Sequence, residues 1–244
     1  MTMTSALRPL VSVMGVVAAA LLIAGCTAGP GAQTPTSSPA PSAGGIDDQN
    51  DVEGALLDEG RMFAVITVGS STCVPQVDQV TAEGQTVTVT LVDAEGEASK
   101  PCTKDLAPRA SLGTLPEGVD PKADITMNVT YGDITDDVDL DGDPAATGTP
   151  GTPTEYLPSA GWFDDGGLVL LTWGSSSCPP VVDTLEGSGN AGTATFVTDA
   201  NQVCTMDMGP RATILSFGDD TVDDEAAFTL TLVGGGLDGT VEVR

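Results

Sequence analysis

The sequence of 244 residues contains no histidine, and its eight lysine and arginine residues face 35 aspartate and glutamate residues, a formal net charge of -27. Without imidazole, the chain has no histidine ligand for a metal and no histidine base for catalysis. Its acidity opposes binding to the phosphate backbone of nucleic acids. Aromatic residues are few, with five Phe, two Trp and two Tyr, which is little for a stacking or sugar-binding surface. The composition thus excludes function classes without specifying an activity.

The first 26 residues have the order of an export signal. A short head with one positive charge at Arg8 precedes an apolar run over residues 11–23 and a group of small residues. Thirteen residues at a helical rise of about 1.5 Å span only about 20 Å, whereas the hydrocarbon core of a membrane is about 30 Å thick. The run therefore predicts an exported segment and not a spanning helix.

The end of this segment, Leu22-Ile23-Ala24-Gly25-Cys26, resembles the lipobox of bacterial lipoproteins. The resemblance implies that residues 1–25 are a signal peptide, cut off before Cys26, and that the Cys26 thiol carries a diacylglyceryl group. Such an anchor would hold the protein at the extracytoplasmic face of the cell membrane. The alternative is an ordinary secretory signal that is cut after residues 18–20. Loss of residues 1–25 removes Arg8 and no acid, so the mature charge is 7 minus 35, or -28.

Two stretches lack the residues that build a core. Residues 26–50 are rich in Ala, Gly, Pro, Ser and Thr and predict a disordered tether behind the anchor. Residues 143–156 predict a linker between two folded parts. The lipobox, the tether and the acidic, lysine-poor composition together resemble those of actinobacterial-type cell-envelope lipoproteins. That resemblance covers the first 45 residues and the composition, and it implies no particular activity.

The two folded parts look like copies of one unit. Residues 69–78 (GSSTCVPQVD) match residues 174–183 (GSSSCPPVVD) at an offset of 105, and residues 102–110 (CTKDLAPRA) match residues 204–212 (CTMDMGPRA) at an offset of 102. The difference of three residues falls between the cysteines, where a loop deletion would place it. We therefore predict two tandem repeats, the first over residues 51–142 and the second over residues 157–244.

The apolar pattern of both repeats is that of strands. Residues 62–68 and 168–173 are short apolar runs typical of buried strands, and residues 86–92 alternate between apolar and polar side chains. Residues 125–131 and 228–233 show the same alternation. We predict an all-β chain of two small antiparallel domains, with a sandwich favoured over a closed barrel.

Disulfides use cysteines in pairs, so one of the five cysteines must remain unpaired, and Cys26 of the lipobox accounts for it. If each repeat closes its own loop at the equivalent place, Cys73 pairs with Cys102 and Cys178 pairs with Cys204. Loops of about 30 residues give each bond roughly 3.5 kcal/mol of stabilisation in the chain-entropy model. The alternative role is a redox pair, which the absence of a Cys-x-x-Cys spacing disfavours.

Arg109 and Arg211 occupy matching positions and are two of the seven basic residues that remain after residue 25. We predict that each forms an ion pair within its own repeat, since Arg binds carboxylates with two parallel hydrogen bonds. The carboxylates considered are Asp105, Asp207, Asp78 and Asp183. The alternative is an anion-binding or partner-binding site that is present twice.

Ser70 and Ser175 precede the first cysteine of each repeat and are predicted to form turns, where hydroxyls bond free backbone groups. A ligand-binding loop or a serine nucleophile is the alternative. Activation of a serine would then need a lysine, because histidine is absent. The available lysines are Lys100, Lys104 and Lys122.

Asp137, Asp139 and Asp141 resemble the opening of an EF-hand calcium loop. The match ends at Pro144 and at Gly148, which stands where the bidentate glutamate belongs. A solvated acidic edge is the favoured interpretation, and weak calcium binding is the alternative. No other cofactor is predicted.

Taken together, the sequence predicts a membrane-anchored, extracytoplasmic lipoprotein whose repeats form a non-enzymatic module. The module would bind an envelope component or a partner protein, with the interface between the copies as one location for the site. The alternatives are a hydrolase or other enzyme of the envelope, and a passive spacer. Trp162 and Trp173 are predicted to pack in the core of the second repeat.

Overall fold

A computed structural model describes residues 51–94, 101–218 and 221–243. Strands are the main regular structure of these residues, which confirms the predicted all-β class, and the one short helical turn among them covers Asp58–Gly60. Cys26, the predicted signal peptide, the predicted tether and Lys100 lie outside the described residues. Among the described residues there is no helix of the length and apolarity that a membrane span requires.

Within the described ranges, each repeat contributes seven strands. Those of the first repeat are β1 (Glu53–Leu57), β2 (Met62–Gly69), β3 (Gln76–Glu83), β4 (Thr86–Val92), β5 (Ala107–Thr114), β6 (Ile125–Tyr131) and β7 (Ile134–Leu140). Those of the second repeat are β8 (Ser159–Asp164), β9 (Gly167–Gly174), β10 (Val182–Ser188), β11 (Ala191–Phe196), β12 (Gly209–Ser216), β13 (Phe228–Gly234) and β14 (Gly239–Val243).

Two sheets form each half, so the predicted sandwich architecture is confirmed. The first half has a three-stranded sheet in the order β1-β2-β5 and a four-stranded sheet in the order β3-β4-β6-β7. The second half repeats this arrangement with β8-β9-β12 and β10-β11-β13-β14. Matching strands thus take matching places, as the internal repeat predicted.

One strand pair in each half is parallel, which the prediction of antiparallel domains did not include. β4 pairs with β6, and β11 pairs with β13, in the same direction. The chain leaves the four-stranded sheet after β4, adds β5 to the three-stranded sheet and then returns for β6. Such a crossover is the connection that parallel neighbours require.

The core of each half lies between its two sheets. In the first half, Val87, Val89 and Leu91 from one face of β4 are buried against Phe63 and Val65 of β2. The strict alternation of residues 86–92 therefore has the predicted consequence that one face is buried. The second half has an equivalent core between β9, β11, β12 and β13.

A third apolar cluster joins the halves. Met62, Ala64 and Ile66, on the other face of β2, are buried together with Val169 and Leu171 of β9. The two three-stranded sheets therefore pack face to face, and the layers follow one another as four, three, three and four strands. Burial on both faces explains why β2 and β9 are continuous apolar runs, since each fully buried Val, Leu or Ile side chain contributes about 1.5–3 kcal/mol.

The predicted linker is packed against the first half. The Asp143 amide donates to the Pro121 carbonyl at 2.9 Å, the Gly148 amide donates to the Glu59 carbonyl at 2.8 Å, and Ala146 is fully buried. The described residues fall within one compact unit. The repeats are thus joined by the third apolar cluster as well as by the linker.

Candidate functional site

The two predicted disulfides are formed. Cys73 and Cys102 are bonded with their Cα atoms 5.6 Å apart, and Cys178 and Cys204 with theirs 5.7 Å apart. Each bond ties the segment after the central strand of a three-stranded sheet, β2 or β9, to the segment before its neighbour, β5 or β12. The disulfides therefore brace equivalent ends of the two halves.

Arg109 and Arg211 do not form the predicted ion pairs. Arg109 is only 8% exposed, and it donates from Nη1 to the Cys73 carbonyl at 2.6 Å and from Nη2 to the Thr67 hydroxyl at 3.3 Å. Across the described ranges, no carboxylate lies within ion-pair distance of either arginine. The arginines lie beneath the strand ends, where main-chain carbonyls are within reach. Asp105 lies at the surface and is not within reach.

Arg211 has the equivalent position in the second half. It donates from Nη1 to the Cys178 carbonyl at 3.0 Å and from Nη2 to the Trp173 carbonyl at 2.9 Å. Burial lowers the pKa of its guanidinium group. Each arginine thus binds the carbonyl of the first disulfide cysteine of its own repeat, which is a structural role and leaves little of the guanidinium free for an external anion.

A glycine makes room for each arginine, which sequence reasoning missed. A Cβ atom on Gly69 would lie 2.5 Å from Cζ of Arg109, and one on Gly174 would lie 2.8 Å from Cζ of Arg211. Both distances are far below a van der Waals contact. The signal was available in the sequence, because the repeated Gly-Ser-Ser segment and the repeated Pro-Arg segment each hold one partner of this contact.

Ser70 and Ser175 each begin a turn and belong to a cluster of hydroxyl groups. Ser70 Oγ lies 2.8 Å from Thr103 Oγ1 and Ser175 Oγ lies 2.7 Å from Thr205 Oγ1. The Ser70 and Ser175 carbonyls each accept a bond of 3.2 Å from the amide of the following cysteine. The serine hydroxyls are therefore engaged with neighbouring hydroxyls, a pattern typical of turn formers.

Asp105 and Asp207 cap these clusters at the surface. The backbone amides of Ser71 and Ser176 donate to them at 3.3 Å and 3.1 Å. Asp105 accepts hydrogen bonds from Ser71 and Thr103, which lower its pKa to about 2. Asp207 accepts hydrogen bonds from Ser176 and Thr205, which likewise lower its pKa to about 2. The two carboxylates stay ionised and hold the turns that carry the disulfides.

The three aspartates of the calcium hypothesis are not brought around one point. Asp137 and Asp139 point outward from β7, and Asp141 follows the end of that strand. A strand advances about 3.3 Å per residue, so Asp137 and Asp141 are separated by roughly 13 Å of extended chain, whereas a calcium loop curls around its ion. Among the described residues no group of three acidic or cysteine side chains has an arrangement that could hold a metal. Calcium binding stays an untested prediction.

A groove, which we call the acidic groove, lies between β1 of the first half and β8 of the second. It has a volume of about 760 Å³, and no lysine or arginine is among the described residues that line it. Its floor is formed by the two strands, which approach closely because a Cβ atom on Gly161 would lie 2.6 Å from the Leu56 carbonyl oxygen. The acids along it are Glu53, Asp58, Glu59, Asp139, Asp141, Asp143, Asp164, Asp165, Asp224, Glu225 and Glu242.

Glu53, one acid of the groove, lies among other carboxylates that repel its negative charge. Burial raises the pKa of Glu53, and the negative charges of Asp164, Asp51 and Asp136 raise it further. Burial also raises the pKa of Asp58, although the nearby Thr154 hydroxyl and Arg61 act in the opposite direction. A cation in the groove would relieve this repulsion, so the electrostatics favour a positively charged partner.

A smaller pocket, which we call the junction pocket, lies where the linker crosses the contact between the halves. It has a volume of about 330 Å³ and is lined by Asp58, Arg61, Met62, Thr114, Gly151, Thr152, Pro153, Thr154, Trp173 and Pro210. Trp173 contacts Tyr156 edge to face, with ring centroids 5.1 Å apart. The prediction for the tryptophans therefore holds for Trp162, which packs against Phe228 in the second core, whereas Trp173 lies between the halves.

Comparison of the chain with protein-family models, with curated proteins and with solved structures gives no match. The function must therefore be inferred from the sites described above.

Proposed function

We propose that the protein is a lipid-anchored, extracytoplasmic binding module without catalytic activity, which holds a cationic segment of an envelope component or partner protein in the acidic groove. The observation that carries this proposal is the groove itself, which the two halves form together and line with carboxylates alone among ionisable side chains of the described residues. A concave surface of one charge sign concentrates oppositely charged partners.

The anchor fits this role. On the lipobox interpretation, the diacylglyceryl group at Cys26 fixes one end of the chain, and the tether separates the acidic body from the membrane. Anionic head groups repel a body of this charge, so the groove stays accessible from the extracytoplasmic side. Incorporation of radiolabelled palmitate into the wild type, and its loss in Cys26→Ala, tests this part of the proposal.

The absence of catalysis is supported by how the candidate groups are used. Ser70 and Ser175 bond threonine hydroxyls, and Arg109 and Arg211 bond main-chain carbonyls. None of these four groups is held in the pairing of nucleophile and base that covalent catalysis requires. They stabilise the disulfide ends, which leaves recognition by shape and charge as the function the geometry supports best.

The test is a binding measurement with a labelled lysine-rich peptide and the full chain in detergent micelles. The groove variant Asp141→Asn/Asp165→Asn/Glu225→Gln removes three exposed carboxylates from the groove. The matched control Asp78→Asn/Glu83→Gln/Glu186→Gln removes three exposed carboxylates from the outer strands β3 and β10. Both variants have the same net charge.

We expect the groove variant to bind the peptide about ten-fold more weakly than the control, because three exposed ion pairs are worth about 1.4 kcal/mol together. Binding should also weaken as salt is raised. Equal loss in both variants would mean that net charge and not the groove attracts the peptide, and it would contradict the proposal.

A further inference from the structure

In the described part of the chain, all four sheets present an edge strand to the acidic groove. β1 and β8 form its floor, and each is the outer strand of its three-stranded sheet. The groove is also lined by the end of β7 and by Glu242 of β14, which are the outer strands of the four-stranded sheets. A sheet edge carries main-chain amides and carbonyls that no neighbouring strand binds. The groove therefore offers main-chain hydrogen-bonding groups in addition to carboxylates.

β1 has a regular edge that is open on one side. Within the described ranges, the main chain of Glu53–Leu57 pairs with β2 alone, and its register is continuous over all five residues. The amides on either side of the strand are already engaged, since Val52 donates to Asp136 and Asp58 donates to Ser159. In an antiparallel pair, alternate residues direct both main-chain groups away from the partner strand. Every second residue of β1 thus has an amide and a carbonyl on the open side of the sheet.

The other edge strands are less suited to pairing inside the groove. The register of β8 with β9 shifts between Trp162 and Asp164. Such an irregularity bends a strand and ends its regular pairing. β7 lines the groove only with its last two residues, Asp139 and Leu140, and β14 only with Glu242. β1 is therefore the edge in the groove at which a further strand can add.

Charge determines which kind of strand can add to β1. Acids stand at both of its ends, with Glu53 as its first residue and Asp58 and Glu59 in the turn that follows it. Charged residues at a sheet edge repel strands of the same sign. A second copy of this chain would bring the same acidic edge and be repelled, whereas a cationic strand is attracted. The open edge is an observation independent of the charge, and the two together select the occupant.

We propose that the cationic partner binds the acidic groove as an extended strand that adds to the edge of β1. Main-chain hydrogen bonds with alternate residues of β1 hold this strand, and its basic side chains lie near the carboxylates of the groove. The inference rests on the proposed function and specifies the conformation that the partner adopts. A helical segment cannot bind β1 in this way, because its main-chain groups are bonded to one another.

The first test uses the lysine-rich peptide in three forms and the full chain in detergent micelles. One form is unmodified, one is N-methylated at its odd-numbered residues, and one is N-methylated at its even-numbered residues. Each methyl group removes an amide donor and leaves the side-chain charge unchanged. In a bound strand only every second amide faces β1. We therefore expect one methylated peptide to bind at least about ten-fold more weakly than the unmodified one, and the other to bind within about two-fold of it.

The second test measures amide hydrogen exchange in the protein by NMR, with and without the unmodified peptide. Amides that face β2 are protected in the free protein, whereas those on the open side of β1 exchange readily. Binding should slow the exchange of alternate amides within Glu53–Leu57 by at least about ten-fold. The amides of β8, which lies on the same floor, serve as the control and should be unchanged.

The inference would be overturned by equal affinity of the three peptides, by an equal loss of affinity in both methylated forms, or by protection that appears in β8 and not in β1. The proposed function would survive any of these results, provided that the groove variant binds the unmodified peptide more weakly than its control. Equal binding of the unmodified peptide by the groove variant and its control would contradict the proposed function, and the inference with it.

Discussion

Arg109 donates a hydrogen bond of 2.6 Å from its guanidinium group to the main-chain carbonyl of Cys73. Arg211 makes the same contact with Cys178 at 3.0 Å. The repeated arginine and the repeated cysteine, which lie 36 and 33 residues apart, are thus parts of one structural unit. In each half this unit joins the disulfide to the end of the central strand.

Replacement of Arg109 by alanine should destabilise the fold strongly. The variant leaves the Cys73 carbonyl and the Thr67 hydroxyl without partners below the surface. We expect the free energy of unfolding to fall by about 2–4 kcal/mol, measured by urea denaturation. Lys104→Ala, which removes an exposed cation from the segment before β5, should change it by less than about 0.5 kcal/mol. Unchanged stability in Arg109→Ala would favour the anion-binding alternative.

A methyl group on Gly69 should displace the guanidinium of Arg109. The added Cβ would lie 2.5 Å from Cζ, so the arginine must move and lose its bond to Cys73. We expect Gly69→Ala to cost about 1–3 kcal/mol in thermal or urea unfolding. Gly239→Ala is the control, because a Cβ atom there meets nothing within 4 Å. Equal effects of the two substitutions would show that the contact between glycine and arginine is unimportant.

The surface carboxylates Asp105 and Asp207 should make stability depend on pH in strongly acidic solution. Their pKa values are about 2 in the folded protein, compared with 3.8 for an ordinary aspartate. The unfolded chain therefore binds more protons between these values, and the stabilisation is present above about pH 4 and lost as the pH falls through 2. Asp105→Asn/Asp207→Asn should show a flatter stability profile from pH 4 to 2. Parallel profiles of the variant and the wild type would contradict this assignment.

Glu53 should have the opposite effect. Its pKa is raised above 4.5 in the folded protein, because burial and neighbouring acids disfavour the charged form. Its ionisation therefore destabilises the fold as the pH rises from below 4.5 through the raised value. We expect Glu53→Gln to be more stable than the wild type at pH 8 and to lose this advantage at pH 4, as measured by urea denaturation. A difference that is the same at both pH values would contradict the prediction.

The strands and the disulfides could be predicted because their signals are local or repeated. Alternation in residues 86–92 gave the buried face of β4, and the offset between the copies selected the cysteine pairing. The face-to-face contact of the halves could not be predicted, because the face of β2 that carries Ile66 is covered by β9, about 100 residues away. The parallel pairs could not be predicted either, because apolar alternation does not specify which strand lies next to which.

The candidate sites were harder to predict than the fold. Arg109 was identified from its repeated position, but an abundance of acids suggested carboxylate partners, whereas the acceptors are a main-chain carbonyl and a hydroxyl. The acidic groove combines residues of both repeats, from Glu53 to Glu242, and no spacing in the sequence relates them. Trp173 was expected in a core because it ends an apolar run, and only the packing of the halves places it at the junction pocket.

The packing of the two halves into one body is the basis for the acidic groove, and calorimetric unfolding of the wild type and of Cys178→Ser/Cys204→Ser tests it most directly. The shared apolar cluster predicts one transition in each protein, with the calorimetric enthalpy equal to the van't Hoff enthalpy. Loss of the second disulfide should lower the stability of the whole body by roughly 3.5 kcal/mol. Two transitions, of which only one moves when that disulfide is removed, would show that the halves unfold independently and would contradict a shared core.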